Sequence, residues 1–375
     1  MEKNFEMSNI SAAMTEEAIF QKERKEKMRK KLRFSANYIG FSCVLFVSLW
    51  ELFMRSAVLT AKKAEELFLA GSIDFSGIAL YNKYILIINE ATLALALVLT
   101  ALVMFLIVRP KVTFEPKPIQ FSRFVKILLI CFGAGYIGNL IGTVGLSFWN
   151  IFTGNSVGNE LQEILSGMNP IIMFVSVVIL APILEELFFR KILIDRLRPF
   201  GKIVSIFLPA LLFALFHQSA TQFLYTFAMG AVLAYLYYET GKYWLVVVIH
   251  AMFNWISGFI PILFLPKIEG FFNELTFVEE SLSNVETLDE IASLMLPLLE
   301  NYGFALASYM VYALIVFVIN ITGLVLLCLS LKHVRKMKED SLLGFGETVK
   351  AVMLNPGMIV CTIVLGLLTG YSLFK

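Results

Sequence analysis

Residues 168–190 read MNPIIMFVSVVILAPILEELFFR. A run of this length, helical at about 1.5 Å rise per residue, crosses the roughly 30 Å hydrocarbon core of a bilayer. Towards its end it carries Glu185, Glu186 and Arg190. A charge at the bilayer centre costs at least about 2.5–3.5 kcal/mol on insertion scales, so one that is retained there is a candidate for function.

The rest of the chain shares the apolar character of that stretch. Of 375 residues, 58% are hydrophobic and only 16% charged, and 34 are Phe. A soluble domain of this size needs more charge to stay in solution; a helical membrane bundle does not. The net charge of +2 makes no electrostatic case for a nucleic-acid partner, and the partner implied is the lipid bilayer. Cys43, Cys131, Cys328 and Cys361 all fall in apolar runs without Cys-x-x-Cys spacing. They are expected to be small buried apolar residues, not a disulfide framework. The first apolar run starts only near Phe34, which argues against a cleavable signal peptide.

Further apolar runs lie at 34–54, 84–108, 126–149, 202–217, 222–238, 243–265, 303–331 and 354–374. With 168–190 they predict an all-α polytopic transmembrane helical bundle of eight to nine spans, the lower count holding if one of the two short runs is re-entrant. Basic residues recur on alternate connections: before Phe34, at Arg109, Lys111, Lys117 and Arg123, at Arg196, Arg198 and Lys202, at Lys242, and over 332–338. The connection 266–302 is acidic, with Lys267 its one basic residue. The positive-inside rule then predicts a multi-pass protein of the cell membrane with a cytoplasmic N-terminus. The expected organisation is a basic cytoplasmic arm over 1–33, N-terminal transmembrane helices over 34–167 and a catalytic helical core over 168–265. An acidic extracytoplasmic loop over 266–302 and C-terminal transmembrane helices over 303–375 complete it.

Arg190 lies four residues beyond Glu186, one turn along the same face, so these two pair. Glu185 points about 100° away and stays available as a general base. Of three histidines, His333 sits in the basic stretch 332–338 and is expected to be solvated. His217 closes Phe213-Ala-Leu-Phe-His217, and His250 opens His250-Ala-Met-Phe-Asn254. The i, i+4 spacing puts His250 and Asn254 on one face. A turn at Pro199-Phe200-Gly201 leaves Glu185 and His217 equally far from Gly201 along the chain, level with each other about 24 Å from the turn. Three helices then converge on one polar pocket.

Amide hydrolysis needs an activated water, donors for the oxyanion and a proton for the leaving amine. Glu185 and His217 suit the first task, and His250 and Asn254 the second, while Glu186 with Arg190 fixes the local charge. No Ser or Cys falls into the cluster, so water is the expected nucleophile. Alternatively His217, His250 and Glu185 bind a divalent metal such as zinc and activate its water. The chain lacks His-Glu-x-x-His, and the spacing leaves both routes open. A proton-relaying transporter is a third class, against which no inverted repeat is visible.

Taken in order, Glu185-Glu186-x-x-x-Arg190, Phe213-x-x-x-His217 and His250-x-x-x-Asn254 resemble the three motifs of the CPBP family. That family comprises CAAX prenyl endopeptidases and bacteriocin-processing or self-immunity proteins, also called CPBP intramembrane metalloproteases. The resemblance implies an intramembrane endopeptidase acting on a peptide or membrane-protein substrate. Glu185 would be its water-activating base beside His217, with His250 and Asn254 at the oxyanion. It also admits a non-catalytic reading, an immunity or scaffold protein that keeps the fold, and it leaves the metal open.

Overall fold

The computed structural model describes residues 2–69, 115–154, 169–282, 287–334 and 342–374, with scattered positions between 95 and 106. The run expected at 84–108 lies mostly outside them. Among the described residues there is helix and no strand. Among the described residues five helices are long and apolar enough to cross a membrane, or six if one bent pair counts as a single span. The protein is thus an all-α, multi-pass membrane bundle.

In chain order the helices are α1 (Glu2–Leu69), α2 (Phe121–Thr153), α3 (Pro170–Phe200), α4 (Lys202–Phe216), α5 (Ala220–Thr240) and α6 (Tyr243–Asn254). A π-helical turn, Trp255–Phe259, carries α6 into α7 (Ile260–Leu282), followed by α8 (Leu288–Val334), α9 (Phe345–Met353) and α10 (Pro356–Tyr371). Several boundaries differ from the sequence reading. The basic arm and the first apolar run are continuous, because α1 runs unbroken through both. At 15 residues, α4 covers only about 22 Å and is too short to cross alone. The acidic stretch 266–302 is largely helix, since apolar residues recur among its carboxylates at helical spacing. There α7 and α8 are joined by Tyr302, whose hydroxyl donates to Glu274 at 2.7 Å and whose ring lies 5.5 Å from Lys267 Nζ.

Helix association in a bilayer depends on close packing, because lipid tails are as apolar as leucine. Glycines mark the closest crossings here. A Cβ on Gly133 of α2 would lie 2.2 Å from the Gly323 carbonyl carbon of α8. One on Gly40 of α1 would lie 2.2 Å from the Gly357 carbonyl carbon of α10. Gly138 meets the backbone of α5 in the same way at Leu224 and Tyr225. On α1 the buried residues Leu32, Ala36, Ile39, Cys43, Phe46 and Val47 recur at three- and four-residue steps and pack in one core with Met358, Cys361 and Leu365 of α10. Cys131 is also buried, whereas Cys328 is exposed on α8, whose apolar residues mostly face outward. The break before α10 is local chemistry: the Asn355 side chain caps the helix by accepting from Met358 N–H at 3.0 Å, and Pro356 needs no donor at that first position. The chain bends by 76° there.

A candidate active site

Glu185 and Glu186 sit on α3 in a short α-helical stretch, Ala181–Glu186, between two π-helical ones, Phe174–Leu180 and Leu187–Ile192. The wider turns aim the adjacent carboxylates at different neighbours. Glu186 is fully buried and Glu185 partly exposed.

Around Glu186 the contacts are ionic. Its Oε1 lies 2.9 Å from Arg190 Nη1, the pair expected from their spacing, and 2.8 Å from His250 Nδ1, which the spacing did not foretell. Arg190 is wholly buried, with its guanidinium carbon 4.4 Å from the Phe213 ring centroid and Nη2 3.4 Å from the Gly230 carbonyl oxygen. The contact to Glu186 is an ion pair without hydrogen-bond direction, and Glu186 Oε2, Arg190 Nε and Arg190 Nη1 find no hydrogen-bond partner among the described residues. Gly230 leaves the room, since a Cβ there would lie 3.0 Å from Phe213 and 3.5 Å from Arg190. Phe213 also stands edge-on to both imidazoles, 4.8 Å from His217 and 5.7 Å from His250 between centroids.

Both histidines have one nitrogen committed. His217 Nδ1 lies 2.8 Å from the Phe213 carbonyl oxygen, which only accepts, so Nδ1 carries the proton and neutral His217 offers Nε2 as an acceptor. His250 Nδ1 likewise donates to Glu186, turning Nε2 towards Glu185 Oε2 at 3.8 Å.

Asn254 answers a backbone need. At the end of the first π stretch the Ala181 N–H bonds five residues back, to Ser176. The next bond in that register would run from residue 182 to Val177, but residue 182 is proline and has no N–H. Asn254 Nδ2 supplies the missing donor to the Val177 carbonyl oxygen at 3.0 Å. The same device recurs one helix on. Ile260 N–H bonds five back to Trp255, Pro261 cannot continue to Ile256, and the Tyr312 hydroxyl of α8 donates to the Ile256 carbonyl oxygen instead. Tyr243 adds a donor to the Ile183 carbonyl oxygen at 2.6 Å.

A cavity of about 210 Å³ is lined by Phe46, Trp50, Glu185, Phe189, Phe216, His217 and Gln218. It therefore brings together Glu185 and His217, the two residues paired by counting along the hairpin. Glu186, Arg190, His250 and Asn254 do not line it. Phe46 and Trp50 come from α1 and Gln218 from the α4–α5 turn, none of which carries a sequence motif. Among the described residues no three His, Cys, Asp or Glu side chains converge as a metal-ligand set, so His217, His250 and Glu185 do not fit a zinc ion in this arrangement.

The family model described as type II CAAX prenyl endopeptidase Rce1-like matches residues 167–256, a segment that holds all six motif residues. No curated protein and no solved structure matches the chain. The match covers about a quarter of the chain, so this segment is similar to the CPBP/CAAX protease family, within a larger helical membrane protein.

Proposed function

We propose that this protein is an intramembrane endopeptidase that hydrolyses a peptide bond of a membrane-associated protein or peptide, using water activated by Glu185 and His217. The observation that carries this reading is the shared cavity wall of those two side chains within the bundle. Glu185 takes a proton from water as its oxygen attacks the carbonyl carbon, and His217 Nε2 accepts a hydrogen bond from the same water and fixes its lone pair. Glu185 then passes the proton to the amine nitrogen as the carbon–nitrogen bond breaks, so one water is divided between the two products. Glu186, Arg190 and His250 hold the charge and orientation of the helix behind Glu185. No step runs through a metal.

The matched family description puts prenylated CAAX peptides first among substrates to try. The charge pattern of the connections favours the cell membrane and a cytoplasmic N-terminus, which accessibility labelling of Lys25 in intact cells would test. The reaction itself is tested with purified protein in proteoliposomes and internally quenched peptides, farnesylated and unmodified. Glu185→Gln and His217→Ala should each abolish cleavage while the thermal midpoint stays near that of wild type. Cleavage retained by both variants would refute the assignment, and a wild-type protein inert on every peptide would favour the non-catalytic partner.

A further inference from the structure

Resting on the hydrolytic reading above, we infer that Gln218 is a substrate-binding residue whose carboxamide donates to the carbonyl oxygen of the bond being cut. Hydrolysis places negative charge on that oxygen, and a donor is needed within reach of the attacking water. The two residues expected in this role each have a donor committed elsewhere: His250 Nδ1 is held by Glu186, one N–H of Asn254 Nδ2 by the Val177 carbonyl oxygen, and neither residue lines the cavity.

Among the lining side chains, N–H donors belong to Trp50, His217 and Gln218. His217 spends its Nδ1–H on the Phe213 carbonyl oxygen. Gln218 follows His217 directly in the chain, so its side chain starts beside the water-binding imidazole.

The backbone points the same way. Gln218 has φ +49° and is the only non-glycine residue with positive φ among those described. The three others, Gly154, Gly201 and Gly241, are glycines at helix boundaries, where a missing Cβ removes the strain. Capping alone explains the left-handed turn at the end of α4, but it asks for Gly or Asn. A glutamine there, against its conformational preference and on the wall of the candidate catalytic cavity, is strain kept for the side chain. The turn is also pinned from outside, as Ala220 N–H donates to Ser372 Oγ of the α10 terminus at 2.9 Å and Gln218 N–H to the Leu215 carbonyl oxygen at 3.1 Å. The backbone that carries the donor is thereby held in place before substrate arrives.

Glycine substitution separates the two explanations, because it relieves the turn and removes the donor together. In proteoliposomes with the quenched peptide panel, Gln218→Gly should raise the thermal midpoint by about 2 °C or more. It should also lower kcat by about 10²-fold with KM changed less than about 3-fold. Gln218→Glu, of equal length without a donor, should lose as much. A stabilised Gln218→Gly with wild-type kcat overturns the inference and leaves a plain helix cap. A lowered midpoint overturns it too, since the side chain would then be structural. Loss of kcat in Trp50→Phe with Gln218→Gly unaffected assigns the donor to Trp50 and equally overturns it. With Glu185→Gln measured alongside, an inert wild type removes the hydrolytic reading and this one together. A dead Glu185→Gln beside a fully active Gln218→Gly removes this one alone.

Discussion

Glu186 Oε1 stands 2.8 Å from His250 Nδ1, so a carboxylate on α3 sets the proton position of an imidazole on α6. The same oxygen meets Arg190, and all three groups are buried. Buried ions of this kind contribute little net stability as a set, yet one left without its partner is costly.

A first consequence concerns stability. Arg190→Leu leaves Glu186 buried with His250 alone and should cost about 3–5 kcal/mol, as should Glu186→Leu. The double variant should cost clearly less than the two losses added together. Chemical unfolding in detergent checks this, and strict additivity would show that the pair is not energetically linked.

The two proline–donor devices make a second prediction. Asn254→Ala strips the Val177 carbonyl of a side-chain donor, at a cost of about 1–3 kcal/mol. Restoring a backbone N–H with Pro182→Ala should shrink that cost, and Pro261→Ala should do the same for Tyr312→Phe. Thermal midpoints of the four single and two double variants are the measurement. No coupling within either pair would mean that the π register does not depend on these side chains.

Helix approach gives a third. Gly133→Ala places a methyl group where the Gly323 backbone already lies, and no side chain is there to swing aside. Separating α2 from α8 should cost about 1–3 kcal/mol, while Gly145→Ala, which meets nothing nearby, should be nearly neutral. Equal effects at the two sites would count against the close crossing.

The ligand geometry gives a fourth. Because no three candidate ligands converge among the described residues, chelator treatment and dialysis should leave peptide cleavage unchanged. Elemental analysis of the purified protein should find well under one zinc per chain. Activity lost to chelator and regained with zinc would require His217, His250 and Glu185 to close further than they do here.

Much of this arrangement is legible in the chain because it depends on position along a helix. The Glu186–Arg190 pair follows from a four-residue step, and the meeting of Glu185 with His217 from their equal distances to Gly201. What spacing does not reveal is the direction in which separate helices face. His250 reaches Glu186 only through the rotation of α6 against α3, and Phe46 and Trp50 reach the cavity only through the placement of α1. Pro182 and Pro261 are plain in the sequence, but the carbonyls they orphan depend on a π register that composition does not announce. In the stretch 266–302 the carboxylates dominate the composition, while the helical spacing of its Phe, Leu and Ile marks the parts that are helix.

Glu186 and Arg190 belong to one turn of one helix, and that has a bearing on biogenesis. Their charges cancel as soon as that turn winds, before any other segment has arrived. The nascent segment therefore enters lipid with opposite charges already matched, at lower cost than two separate ions. The imidazole that completes the cluster comes later, when a helix made downstream docks against a turn already neutral overall.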